Sequence, residues 1–231
     1  MLKTIFFDGD DTLWDFHAAT RRCLGIVLED LRRALPGERT AAMSVEDMMR
    51  IRDDVAAEVK GRIVDLGKVR LMAFERTVQA AGGADGALAA RLNALYFRHR
   101  HEKLFLFPDA LPVLQQLAER FKIGLISNGN TVPSRHGLGH LFRMTLYSTD
   151  VGYAKPHPAF FRQALKNAGS RAEDCLVVGD SLEDDVRGAH EAGIRAVWLN
   201  RRGRRNTSGI EPEGTIGSLR ELPALCDAMA G

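Results

Sequence analysis

Beyond residue 105 the chain repeats one pattern: a short apolar run, a polar turn, then a segment with apolar residues at helical spacing. The runs are Lys122-Ile123-Gly124-Leu125-Ile126, Cys175-Leu176-Val177-Val178 and Ile194–Leu199, with a weaker one at Met144–Tyr147. A matching run, Lys3-Thr4-Ile5-Phe6-Phe7, stands near the start. Runs this short and this continuously apolar predict strands covered on both faces. Leu111–Glu119, Pro158–Ala168, Leu182–Ala192 and Leu219–Met229 read as the helices between and after them. Pro158 sits at a first turn, where its missing N–H costs nothing, and Gly193 follows as a stop. Strands alternating with helices predict βαβ units, hence an α/β fold: a Rossmann-like, doubly wound parallel sheet.

Residues 15–105 interrupt this pattern. Ala, Leu, Arg and Glu dominate, β-branched runs are absent, and apolar residues such as Leu24, Val27, Leu28 and Leu31 fall on one helical face. Breaks at Pro36-Gly37 and Gly82-Gly83 divide the segment into four or five helices. The predicted organisation is a core of residues 1–14 and 106–231 with a helical insert at 15–105.

In sheets of this class ligands bind beyond the carboxyl ends of the strands. The first strand ends in Asp8, Asp10 and Asp11; another ends in Ser127 and Asn128; a third ends in Asp180, with Asp184 and Asp185 close behind. Carboxylates forced together repel unless a cation joins them. A hard divalent ion with oxygen ligands, such as Mg2+, suits such a group together with a substrate phosphate. Lys155, in a loop between units, would offset more of the charge when a carboxylate attacks phosphorus. Ser127 opens what reads as a strand-to-helix turn, whose hydroxyl and backbone N–H groups suit phosphoryl oxygens. Singly, each of these residues has a plainer reading: a solvated turn acid, a surface lysine, a helix cap.

Four segments resemble, in order, the motifs of the haloacid dehalogenase-like (HAD) hydrolases: Phe7-Asp8-Gly9-Asp10-Asp11-Thr12-Leu13, Ile126-Ser127-Asn128-Gly129, Lys155-Pro156-His157-Pro158, and Val178-Gly179-Asp180-Ser181 followed by Asp184-Asp185. The resemblance implies a magnesium-dependent phosphatase with a helical cap inserted after the first motif. It implies that Asp8 is the nucleophile, that Asp10 is the general acid and then the base, and that Thr12 orients the loop around Asp10. Ser127, Asn128 and Lys155 would hold the phosphoryl group, and Asp8, Asp10 (through its carbonyl) and Asp180 the Mg2+. Asp185, or else Asp184, would support the metal or Lys155. Position 9 is Gly where a larger apolar residue is frequent, which is expected to loosen the loop slightly.

Asp10 also separates the reactions of this fold. A halide leaves without a proton, so dehalogenases lack the second acid and need no metal. The first expectation is therefore phosphate monoester hydrolysis of a small metabolite, of the nucleoside monophosphate or sugar phosphate type. Dehalogenation and phosphomutation are the alternatives within the fold, and a non-catalytic binding module is the alternative outside it. The insert is expected to close over the site and carry selectivity. Lys60, Arg62, Lys68 and Arg70 read as a charged helix face and turn, with a second substrate anion as their other reading. Trp14 reads as a packing residue at the junction, His17 as either a cleft or a surface histidine, and His157 as a loop residue.

Charge argues against other partners. Lys and Arg number 32 and Asp and Glu 30, a net +2 that gives no case for nucleic acid or a membrane surface. The one dense basic cluster, Arg201-Arg202-Gly203-Arg204-Arg205, reads as a solvated loop. Three cysteines without a CxxC pair fit a reduced, cytoplasmic protein, and no apolar stretch approaches the ~20 residues of a membrane span. Oligomeric state is not legible.

Overall fold

A computed structural model describes residues 1–230. The chain forms two compact units, one of Met1–Asp15 and the chain from Leu106 onward, the other of Phe16–Phe105. The first junction lies one residue beyond the expected one.

The first unit is a six-stranded, all-parallel sheet. Its strands are β1 (Thr4–Phe7), β2 (Lys122–Ser127), β3 (Met144–Tyr147), β4 (Cys175–Gly179), β5 (Arg195–Leu199) and β6 (Gly214–Ile216), in the order β3-β2-β1-β4-β5-β6. The apolar runs are strands because both faces are covered: every residue of β1 and β4 is buried. One core cluster packs Phe6, Val177, Ala196 and Trp198 against Phe160 and Phe161. β6 was not expected; it is a three-residue edge strand, too short to show a period.

Phe7 lies opposite Leu125 on one side and Val178 on the other. That register puts Asp8, Ser127 and the turn after Gly179 at one end of the sheet. The chain order reverses beside β1, which makes this end the switch point of the fold.

The second unit holds five helices: α1 (Phe16–Ala34), α2 (Glu38–Ala42), α3 (Val45–Val59), α4 (Leu66–Ala80) and α5 (Gly86–Arg100). Cys23, Leu24, Val27, Leu28 and Leu31 of α1 pack against Met48, Phe74, Val78, Leu92 and Tyr96. Side chains fix the helix starts. Ser44 and Asp47 form a reciprocal cap on α3, while Asp65 and Asp85 cap α4 and α5.

In the first unit the remaining α-helices are α6 (Ala110–Ala118), α7 (Ser148–Val151), α8 (Pro158–Ala168), α9 (Gly188–Glu191) and α10 (Leu222–Ala230). Two expected helices change character. Leu182–Arg187 is a π-helix before α9, and Leu219–Glu221 is a 3-10 turn before α10.

Candidate active site

Lys155 is the hub. Its side chain is 2% exposed, and the ammonium donates to Asp8 Oδ1 at 2.7 Å, to Asp185 Oδ1 at 2.6 Å and to the Ile126 carbonyl at 3.2 Å. All three N–H groups are thus used. Burial alone would lower its basicity, but Asp185 and Asp8 outweigh that and hold it above its ordinary value. The Asn128 side chain grips the Lys155 backbone: Oδ1 accepts from its N–H at 2.7 Å and Nδ2 donates to its carbonyl at 3.0 Å. The side chain of Asn128 therefore positions Lys155.

Asp185, rather than Asp184, reaches Lys155. The widened π turn carries both, with Val186 N–H donating to the Ser181 carbonyl at 3.2 Å. Asp185 is buried there, and its Oδ2 accepts from Ser181 N–H at 3.1 Å. Gly179 is what makes room: a Cβ at that position would stand 2.2 Å from the Asp185 carboxyl carbon. The Asp184 N–H instead meets the Ser181 hydroxyl at 3.0 Å as part of the helix cap.

Asp8, Asp180 and Asp185 each bring a carboxylate oxygen within 4.8 Å of the others. Burial pushes the Asp180 carboxyl up to about 7; Asp185 and Asp11 add to this, and Arg204 and Lys155 oppose it. Burial likewise raises Asp8, against the pull of Lys155 and with added repulsion from Asp185 and Asp180. The carboxylates are gathered in excess of the positive charge that the protein supplies. An all-oxygen, anion-rich pocket fits a hard divalent cation such as magnesium.

The loop after β1 is held by contacts that no local pattern announces. The Trp14 indole donates to Asp10 Oδ1 at 2.6 Å. Its ring fills the space over Gly9, where a Cβ would meet it at 2.4 Å. Gly9 therefore tightens the loop instead of loosening it, because a larger residue would displace Trp14. Asp11 takes a left-handed conformation, φ 62°, and its N–H donates to the Trp14 carbonyl at 2.7 Å. The Thr12 hydroxyl is buried without a hydrogen-bond partner. The residue is anchored by its carbonyl, which accepts from Arg201 at 2.9 Å.

Residues 202–205 are exposed, as a solvated loop should be, but Arg201 is drawn inward, and Arg204 reaches back to the site. Arg201 stacks 4.0 Å from the Phe107 ring centroid and makes a bidentate pair with Asp109, both contacts 2.8 Å. Asp109 also accepts from the Ser218 hydroxyl and from Leu219 N–H, and these donors hold its carboxyl below the usual range despite burial. Arg204 donates to the Asp180 carbonyl at 3.0 Å and to its Oδ2 at 3.3 Å, and the Trp198 indole joins at that carbonyl at 2.9 Å. The signal was available: these arginines follow β5 as the acids follow β1 and β4.

Ser127 is buried at the end of β2 and accepts from Gly129 N–H at 2.9 Å. No α-helix follows it, as the strand-to-helix reading required. Only the 3-10 turns Pro133–His136 and Gly139–Leu141 lie between β2 and β3, in a stretch broken by Pro133, Gly137 and Gly139. His157 caps α8, accepting from Ala159 N–H, and stacks on Tyr153.

The model of the haloacid dehalogenase-like hydrolases matches residues 2–193. This chain belongs to that family. Among curated relatives of this HAD hydrolase, the phosphoserine phosphatase of Thermus thermophilus is 36% identical over 162 residues, 68% of this chain and 64% of that protein. The glyceraldehyde 3-phosphate phosphatase of Methanopyrus kandleri is 28% identical over 96% of each chain. Among solved structures, a 2-haloacid dehalogenase from Pseudomonas syringae superposes with TM-score 0.76 at 32% identity over 99% of both chains. The magnesium-bound HAD-hydrolase YfnB from Bacillus subtilis superposes with TM-score 0.78 at 27% identity, over 97% of this chain and 98% of that one. Among the described residues no helix is long and apolar enough to cross a membrane.

Proposed function

We propose that this HAD hydrolase is a magnesium-dependent phosphatase acting on a small phosphate monoester of the nucleoside monophosphate or sugar phosphate type. We place it in the cytoplasm and assign residues 15–105 the role of a cap. The observation that carries the reading is the pairing of Lys155 with Asp8 and Asp185 beside Asp180, with the acid Asp10 two residues from Asp8. The relatives named as phosphatases support it.

Asp8, Asp180 and the Asp10 carbonyl would hold magnesium, which when bound neutralises part of the charge on the carboxylates and the phosphoryl oxygens. Lys155 fixes the Asp8 carboxylate through Oδ1. Asp8 attacks phosphorus, the bond from phosphorus to the ester oxygen breaks, and Asp10 gives its proton to the leaving alcohol. The product is an aspartyl-phosphate on Asp8. Asp10, now a carboxylate, takes a proton from water as that water attacks phosphorus, and phosphate leaves a regenerated Asp8. The Trp14 indole keeps the Asp10 carboxylate oriented for both proton transfers.

The Pseudomonas neighbour favours one competing reading, halide displacement by Asp8. Purified protein given p-nitrophenyl phosphate separates the two. Phosphate release that needs magnesium, and that falls by about 10^4-fold in Asp8→Asn, is the expected result. Halide release from a 2-haloacid without metal, and no phosphate release under any metal, would replace the proposal with dehalogenation.

A further inference from the structure

The amide clamp on Lys155 is built a second time in the sheet unit. Asn200 follows β5 directly, and its N–H donates to the Ile216 carbonyl of β6 at 2.7 Å. Its side chain grips the backbone of Arg204: Oδ1 accepts from the Arg204 N–H and Nδ2 donates to the Arg204 carbonyl, both at 2.8 Å. Asn128 holds the Lys155 backbone by the same pair of bonds. Between Asn200 and Arg204 the chain turns at Gly203, which is left-handed with φ 59° and donates its N–H to the Asn200 carbonyl at 3.2 Å. Arg204 is therefore tied to the sheet by its main chain, although its side chain is 53% exposed.

The clamp presents a guanidinium to Asp180. One nitrogen, Nη2, reaches both the Asp180 carbonyl and Asp180 Oδ2, and the Trp198 indole donates to the same carbonyl. Asp180 is thus held by main chain and side chain together. Each acid of the gathered group then has a cation against it: Asp8 and Asp185 share Lys155, and Asp180 has Arg204. An exposed ion pair adds little stability, because a long side chain must be ordered to make it. A tethered arginine that divides one donor between a carbonyl and a carboxylate is better suited to setting a direction.

We propose that Arg204 is a positioning residue that holds the Asp180 carboxylate in the orientation in which it receives the divalent cation. The proposal rests on the magnesium reading above. A carboxylate already ordered binds a cation without first losing side-chain freedom. The charge of Arg204 acts in the opposite sense, since it repels a cation, but at this exposure water and salt screen it. The two effects have opposite signs, so a binding measurement separates them.

Calorimetric titration of the full chain with magnesium reads the sign. Positioning predicts that Arg204→Met raises the Kd for magnesium by about threefold to tenfold, the cost of ordering one side chain. Asn200→Ala keeps the charge but frees the Arg204 backbone, and it should raise the Kd as well. In EDTA, Arg204→Met and wild type should melt together, which a structural role for Arg204 would not allow. A lower Kd in Arg204→Met makes Arg204 a repelling charge, and an unchanged Kd makes it a surface contact; either overturns the proposal. So does a fall in melting temperature in EDTA that accompanies the loss of affinity. Wild type that takes up no magnesium strikes the cation site and the proposal with it, whereas wild-type binding that Arg204→Met leaves intact strikes the proposal alone.

Discussion

Lys155 in the sheet unit is buried and Arg70 in the helical unit half-buried, and the surroundings of the two cations differ. Each N–H of the Lys155 ammonium meets an acceptor, two of them carboxylates. Arg70 has an aromatic ring beneath it, two other arginines as electrostatic neighbours and a buried Nη1 with no acceptor. A buried charge whose partners are part of the chain cannot be removed without orphaning those partners. Arg70 instead rests on the Tyr96 ring, and its Nη1 donor is left without an acceptor. The sheet unit shows the same logic in reverse at Asp8, Asp180 and Asp185, where acids are in excess and a cation is the complement.

The contrast is broken most severely at Lys155. Lys155→Met leaves Asp8 and Asp185 buried without their cation, and stability is expected to fall on the order of 3–5 kcal/mol, with loss of turnover. Urea unfolding measures it. Arg70→Met removes a repelled charge and is expected to melt no lower than wild type in the absence of anions. Equal losses in the two variants would erase the distinction between the units.

Asp109→Asn comes next. It weakens a buried carboxylate that accepts from Arg201, Ser218 and Leu219, for an expected loss of about 1–3 kcal/mol. Because Arg201 also holds the Thr12 carbonyl, kcat should fall more than KM rises. An unchanged kcat would uncouple this node from the loop after β1.

Trp14→Phe keeps a ring over Gly9 and removes the donor to Asp10. An expected fall of about tenfold in kcat follows from one lost charge-assisted hydrogen bond. The fall should be larger for alkyl phosphates, whose leaving group needs a proton, than for p-nitrophenyl phosphate. Equal falls would separate Trp14 from proton transfer.

The smallest effect is at the far end of the sheet. Arg171 and Lys3 hold the Asp174 carboxyl down at about 2. A carboxyl depressed in the folded state stabilises above its unfolded value, near ~3.9, and loses that contribution as pH falls toward 2. Asp174→Asn should therefore melt slightly below wild type at neutral pH, and the two curves should meet in acid. A gap that persists at pH near ~2 would show that the difference is packing rather than charge.

What the chain announced locally was largely legible. β1, β2, β4 and β5 could be read because a doubly covered strand must be continuously apolar. The acids after β1 and β4 could be read because fold class fixes which strand ends converge. What depended on distant contacts was not visible. Asp109 and Arg201 stand 92 residues apart, and neither has a motif. Gly9 and Trp14 are neighbours in sequence, yet their fit shows only once the loop has turned. The π turn at Leu182–Arg187 looks helical by periodicity, since one extra residue per turn barely moves the apolar positions. Arg70 sat among four basic residues, of which only the fold shows one to be stacked on an aromatic ring.

The most direct test of the proposed chemistry is a crystal structure of the protein with magnesium and beryllofluoride, a mimic of an acyl phosphate. Beryllium bonded to the Asp8 carboxylate, with magnesium held by Asp8 and Asp180 and Lys155 still against Asp8, is the expected result. Magnesium held by other residues, or beryllofluoride bound away from Asp8, would contradict the assignment of nucleophile and cation site together.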